Sequence, residues 1–140
     1  MNKIFQDIEI LTITYKSDHI IEKCLSNIDE NFKITIVENS DNINFKEKLE
    51  ARNNTKCILT NSNLGFGSAF NIGAKQIHSK FIFHLNPDVL IDTKIIFDLY
   101  EIANQVEDLG IISPREITDN SKIIHKTDVK YIEVDHVKGF

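Results

Sequence analysis

The sequence has only two cysteines, Cys24 and Cys57, far apart and in no CxxC spacing. That excludes a disulfide framework and a cysteine-built zinc site. The pair reads as two reduced, buried small side chains of a cytosolic protein. No run approaches the roughly eighteen apolar residues that a membrane-crossing helix needs, so none is encoded. Met1 to Asp7 lack the basic start and apolar stretch of a secretory signal. Basic charge is not in excess: 16 Lys and Arg stand against 21 Asp and Glu, for a net charge of −5. A mildly acidic chain without a basic run is a poor match for a nucleic-acid backbone, and nucleic acid is excluded as a partner. The five histidines do not cluster. His78 falls on a predicted helix, His84 inside a predicted strand, and His19, His125 and His136 in separate segments. Each reads as structural or exposed rather than as a ligand or base. There is no internal repeat and no low-complexity linker.

What is present fits one globular domain over residues 1–140. The composition is 41% hydrophobic and 26% charged, enough for a core without disulfide staples. Ile, Asn and Lys are abundant, so a single Asn or Lys carries little weight as a functional signal.

The apolar pattern alternates between two periods. Ile8 to Thr14 reads as a buried strand, followed by a helix that Ser17 or Asp18 can cap, with Ile20, Ile21, Cys24, Leu25 and Ile28 at helical spacing. Lys33 to Glu38 is a second strand, Phe45 to Ala51 a short helix, and Lys56 to Thr60 a third strand. A loop from Asn61 to Gly67 leads into a helix carrying Ala69, Phe70, Ala74 and Ile77. Phe81 to Leu85 is a fourth strand, Thr93 to Val106 a helix, and Gly110 to Ser113 a fifth strand. Two more extended stretches follow, Lys122 to Lys126 and Tyr131 to Val137. Such alternation specifies an α/β fold, a mostly parallel sheet covered on both faces. Ligands of these sheets bind beyond the carboxyl ends of the strands. Function is therefore expected at Tyr15 to Ser17, Glu38 to Asp41, Thr60 to Gly67, and Asn86 to Asp88.

Three of these strand ends carry usable chemistry. Gly65 and Gly67, at the start of a helix, let a ligand approach the backbone and expose N–H groups to an anion. Their spacing is neither the dinucleotide fingerprint nor a P-loop, so a nicotinamide dehydrogenase and a P-loop NTPase are disfavoured. They also read simply as a tight turn, with Gly73 allowing close helix packing. Asn86-Pro87-Asp88 follows an apolar strand. Pro87 fixes φ and presents Asp88, a hard oxygen ligand suited to Mg²⁺ or Mn²⁺. An ordinary turn is the other reading of that tripeptide. Glu38, closing the second strand, can accept hydrogen bonds from a base or a ribose, or belong to a local turn.

Four segments in order carry a resemblance: Thr12-Ile13-Thr14-Tyr15-Lys16-Ser17, Val37-Glu38-Asn39-Ser40, the long Asn63 to Gly73 segment, and Leu85-Asn86-Pro87-Asp88-Val89. The chain resembles the N-terminal part of family 2 glycosyltransferases, nearest to a rhamnosyltransferase-like branch. The resemblance implies a three-layer GT-A fold. It implies that Thr14 and Tyr15 line the nucleotide pocket and that Glu38, where the family usually has Asp, meets the base or ribose. Asn63, Gly65, Phe66, Gly67 and Asn71 would lie beside the nucleotide and sugar of the donor. Asn86 and Asp88 match the family's D-x-D position, with Asp88 holding Mg²⁺ or Mn²⁺ and Asn86 bonding ribose or metal-bound water.

By the same resemblance the donor is a nucleoside-diphosphate sugar, dTDP- or UDP-linked, and transfer is inverting. The acceptor is a glycan or a lipid-linked glycan of cell-surface polysaccharide biosynthesis. The location is cytoplasmic, including peripheral association with the inner face of the membrane. The family's catalytic base lies downstream of the D-x-D position, so the chain is expected to be the donor half, stopping at Phe140 before that base. Val137 to Phe140 resembles the start of a strand that leads toward the acceptor site. The alternative is a non-catalytic nucleotide-sugar-binding or interaction domain. A nucleotidyltransferase would want a glycine-rich basic loop after the first strand, and a receiver domain paired acids there; neither is present.

Overall fold

The computed structural model describes residues 3–114. The chain divides into two compact units, residues 1–93 and 94–140. In the first, a short helix α1 (Ile4–Asp7) precedes β1 (Ile8–Thr14), α2 (Ile21–Leu25), β2 (Lys33–Glu38), α3 (Ile43–Glu50), β3 (Thr55–Leu59), α4 (Phe66–Ala74) and β4 (Phe81–His84). The second unit takes up α5 (Thr93–Ala103) from Lys94 onward.

The four strands form one sheet in the order β3-β2-β1-β4, and every pairing is parallel. β1 pairs with β2 from Glu9 opposite Lys33 to Thr14 opposite Glu38, and with β4 from Ile8 opposite Phe81. Strands buried on both faces need apolar or small residues at every position. Ile8–Thr14 and Lys33–Glu38 supply them except at Glu9, Lys33 and Glu38, and both strands occupy the span that their composition predicts.

Alternation of side chains along the strands separates two faces. Leu11 and Val37, with Ile13 and Ile58 beside them, face α4 and its buried Ala69, together with Ile77 just beyond it. Gly73 permits the approach: a Cβ there would lie within 3.0 Å of Leu11 Cδ1 and Val37 Cγ2. Ile10, Ile34, Ile36 and Cys57 point the other way and are equally buried. That face is left to α2 and α3, whose Ile21, Cys24, Leu25, Phe45 and Leu49 are buried, and α3 lies against β3. The layers are therefore helix, sheet, helix.

Helix starts follow local chemistry. The Asn42 side chain accepts from Phe45 N at 3.1 Å, so α3 begins at Ile43, two residues before its apolar pattern. Gly65, with φ +78°, is the N-cap of α4, so that helix takes in Phe66 and Gly67, which the pattern alone left in the loop. Ser17 does not cap α2 with its side chain. Its hydroxyl instead donates to Tyr15 O at 3.2 Å, and only its carbonyl accepts from Ile20 N and Ile21 N. The expected strand Gly110 to Ser113 is not formed. Four residues between a glycine and Pro114 need a ladder partner to be a strand, and none of the described strands pairs with them. The stretches Lys122 to Lys126, Tyr131 to Val137 and Val137 to Phe140 lie outside the described residues. No described helix is long and apolar enough to cross a membrane.

Candidate functional site

In the order β3-β2-β1-β4 the chain builds outward from β1 to β3 and then returns to the other side of β1. The strand order reverses between β1 and β4, and ligands of open α/β sheets bind beyond the carboxyl ends at such a reversal. Backbone bonds tie the four strand ends into one edge. Asn39 N donates to Thr14 O at 2.7 Å, Thr60 N to Glu38 O at 3.1 Å, and Leu85 N to Leu11 O at 3.0 Å.

On the β2 side the polar groups satisfy one another. Glu38 is 1% exposed. One carboxylate oxygen accepts from Thr14 Oγ1 at 2.6 Å and the other from Ser40 Oγ at 2.5 Å. A buried carboxylate is tolerable only with such donors, and both of its oxygens are held by protein hydroxyls. Thr14 and Glu38, both expected site residues, are thus in direct contact and both interior.

Asn39, 3% exposed, holds the glycine loop in place. Its Oδ1 accepts from Thr60 Oγ1 at 3.0 Å and Leu64 N at 2.9 Å. Its Nδ2 donates to Asn63 Oδ1 at 3.0 Å and to Gly65 O at 3.3 Å. All four hydrogen-bonding positions of the carboxamide are used. Asn63 Oδ1 also accepts from Gly65 N at 2.9 Å, so this expected ligand-facing oxygen is turned into its own loop. Beyond it Gly65, Phe66 and Gly67 are exposed, and the N-cap Gly65 has no side chain to cap the first amides of α4. A Cβ at Gly65 or Gly67 would meet nothing within 4 Å. Asn71 is exposed six residues beyond Gly65, about 9 Å along the helix.

The β1 and β4 ends are more open. Tyr15 is 45% exposed. Lys16 adopts a left-handed backbone at φ 55°, uncommon for a residue with a Cβ, and its Nζ lies 5.3 Å from the Tyr15 ring centroid. After β4, Val89 N donates to Asn86 O at 3.2 Å and closes the Asn-Pro-Asp turn. The Cys24 thiol reaches the same carbonyl at 3.5 Å. Asp88 is exposed. Burial, with the charge of Asp88 adding to it, pushes the Cys24 thiol up to about 11. The α2 cysteine is thus a neutral neighbour beneath this turn. His84 Nε2 lies 3.0 Å from Asn86 Oδ1.

Nine of the ten expected residues lie at strand ends, in the loops that follow them or in the first turn of α4, while Asn71 lies farther along that helix. Glu38 ends β2, and Asp88 follows β4 on the far side of β1, both toward the carboxyl edge. Sequence reasoning did not single out Asn39 or His84 as site residues. The Asn immediately after a strand-end acid was the available signal for the first. Two surface hollows lie elsewhere. One, of about 240 Å³, is lined by Glu22, Leu25, Leu49 and Arg52, and the other by Lys33, Glu50, Thr55 and Lys56 near the amino ends of β2 and β3. Neither contains a residue of this edge.

Comparison with known proteins decides the family. The description "Glycosyl transferase family 2" matches residues 9–136. The chain belongs to that family. It is 27% identical over 116 residues to the low-salt glycan biosynthesis hexosyltransferase Agl10 of Haloferax volcanii, a match covering 80% of this chain. The chain spans 37% of that relative's length. The crystal structure of S. aureus TarS 1-349 superposes with a TM-score of 0.61 at 19% identity, covering 71% of this chain and 32% of TarS. That likeness concerns the fold, and the GT-A arrangement expected from the family 2 resemblance is the one observed.

Proposed function

We propose that this chain is the donor-binding half of a glycosyltransferase that moves a sugar from a dTDP- or UDP-linked donor to a glycan or lipid-linked acceptor, with inversion. The observation that carries the reading is the placement of Glu38, the exposed glycine loop and the Asn86-Pro87-Asp88 turn on one carboxyl edge of an all-parallel sheet in a family 2 chain. On this reading the β2 end, with Glu38 next to Thr14, is the side of the site that meets the base or ribose. The exposed backbone at Gly65 and Gly67 admits close approach of the donor, with Phe66 and Tyr15 as ring surfaces.

Among the described residues no three His, Cys, Asp or Glu side chains converge to cage a metal. Asp88 is a single exposed hard ligand with the Asn86 amide two residues away. That donor set fits Mg²⁺ or Mn²⁺, because such an ion commonly keeps water and phosphate oxygens as its other ligands. When bound, the ion would neutralise charge on the departing nucleoside diphosphate. Asp88 would hold it, and Asn86 would bond ribose or a coordinated water. No catalytic base is assigned. The rhamnosyltransferase-like branch, the role in cell-surface polysaccharide synthesis and the cytoplasmic, membrane-apposed location belong to the same proposal.

The test is a calorimetric titration of the chain with UDP and dTDP, with and without Mn²⁺, beside Asp88→Ala. Binding is expected to depend on Mn²⁺ and to lose that dependence in the variant, whose exposed position leaves the fold intact. Unchanged metal dependence in Asp88→Ala would reduce the tripeptide to an ordinary turn.

A further inference from the structure

His84 closes β4 on the face that α4 covers, yet it is exposed, so it is not a core-filling residue. Any apolar ring could pack there; what histidine adds is two nitrogens, and both are engaged. Nδ1 lies 3.1 Å from Leu11 O, the same carbonyl that receives Leu85 N at 3.0 Å. A carbonyl oxygen only accepts, so Nδ1 carries the hydrogen. That contact locks the ring to the central strand. Nε2 then faces the Asn86 carboxamide at 3.0 Å. A carboxamide has a donor end and an acceptor end, and it turns to the end that the ring requires. The ring therefore selects which end of Asn86 faces out from the turn.

The ring faces are used as well. Phe66 lies 5.3 Å from the His84 centroid at 63°, and Phe70 lies 5.5 Å away at 83°, both edge-to-face. Phe66 is the first residue of α4 and is 56% exposed. One side chain thus contacts the glycine-loop helix, the central strand and the Asn-Pro-Asp turn.

We propose that His84 is a positioning residue of the donor shelf, fixing the orientation of the Asn86 carboxamide and seating Phe66 beside it. This rests on the donor-binding reading for its consequence in affinity, but not for its geometry. His84→Phe keeps a ring against Phe66 and Phe70 and removes both nitrogens. His84→Gln keeps a hydrogen-bonding group and removes the ring.

The first readout needs no ligand: the side-chain amide resonances of Asn86, in the 140-residue chain labelled with ¹⁵N. They are expected to move to the position of a solvent-exposed Asn in His84→Phe and to recover in part in His84→Gln, with the β1 and β4 backbone resonances in place. The second readout is UDP affinity in Mn²⁺. It should fall roughly 3–10-fold in His84→Phe, the worth of one ordinary hydrogen bond, and His84→Phe should add nothing on top of Asn86→Ala. Asn86 amide resonances that stay put in His84→Phe, or fully additive losses with Asn86→Ala, would overturn the proposal. If the wild-type chain takes up no UDP at all, the donor reading falls, and the amide comparison alone decides the role of His84.

Discussion

One substitution made at two places on α4 separates packing from ligand access. At Gly73 a new Cβ would lie within 3.0 Å of Leu11 Cδ1 and Val37 Cγ2, and both of those residues are 0% exposed. Neither side chain has space to retreat, and overpacking of this kind costs about 1–3 kcal/mol. Replacing glycine by alanine in a helix returns about 1 kcal/mol, so Gly73→Ala should be destabilising by up to about 2 kcal/mol. With a urea slope of about 2 kcal/mol per molar, its unfolding midpoint should drop by up to about 1 M. Gly67 sits in the first turn of the same helix with nothing within 4 Å of a Cβ. Gly67→Ala should gain about 0.5 kcal/mol and raise the midpoint by about 0.3 M. On the donor-binding reading the same methyl stands where the ligand approaches, so the more stable variant should bind UDP more weakly. Urea melts followed by circular dichroism, with UDP titrations on the same samples, give both quantities. Equal stabilisation by the two substitutions would refute the seating of α4 on Leu11 and Val37. Unaltered UDP binding by Gly67→Ala would refute close approach at that backbone.

Asn39→Ala removes the donors and acceptors that hold Thr60, Asn63, Leu64 and Gly65, and should cost about 2–3 kcal/mol. Its signature is faster hydrogen exchange at the Leu64 amide; unchanged protection there would mean that the loop holds itself. Cys24 and Cys57, each 1% exposed, have thiols pushed up to about 11 chiefly by burial, so neither should react with a thiol reagent at pH 8 until the chain unfolds. The unfolded chain releases these protons near the ordinary value of 9.0 while the fold retains them to about 11. Stability that is fully present below pH 9 should therefore fall as the pH rises toward 11, and urea midpoints across that range check the sign.

The parts of the fold that were legible in sequence are those where one physical demand dominates. Ile8–Thr14 and Lys33–Glu38 are buried on both sides over most of their length, and a run rich in β-branched residues is the pattern that this requires. Ends that depend on a partner elsewhere were not legible. Whether Gly110 to Ser113 forms a strand depends on a ladder partner, which local composition does not encode. The start of α4 depends on Gly65 adopting φ +78° with its loop pinned by Asn39, 26 residues earlier. The strand-end rule located the edge itself, since it needs only the order of elements. It did not reveal the contacts across that edge. Cys24 beneath Asn86 is separated from it by 62 residues, and His84 from Leu11 by 73. In a sequence so rich in Asn, the one local mark of Asn39, its place directly after a strand-end acid, carries little weight by itself.

The two sides of the edge differ in how much of their polar chemistry is already committed. Around β2, the carboxylate of Glu38 accepts from Thr14 and Ser40, and the carboxamides of Asn39 and Asn63 bond each other and the loop. Moving any of them would unpair a buried group, which costs about 1–3 kcal/mol, so this side is fixed in shape before a ligand arrives. After β4, Asp88 is exposed, and Asn86 is steered by one ring. A side chain at an exposed turn can shift without unpairing the interior. On the donor-binding reading, the rigid side would recognise the constant part of the donor, its nucleoside. The adjustable side would meet the part whose charge and geometry change during transfer, the diphosphate with its ion. Substitutions around β2 should then change stability and base preference together. Substitutions at Asn86 and Asp88 should change metal dependence with the fold intact.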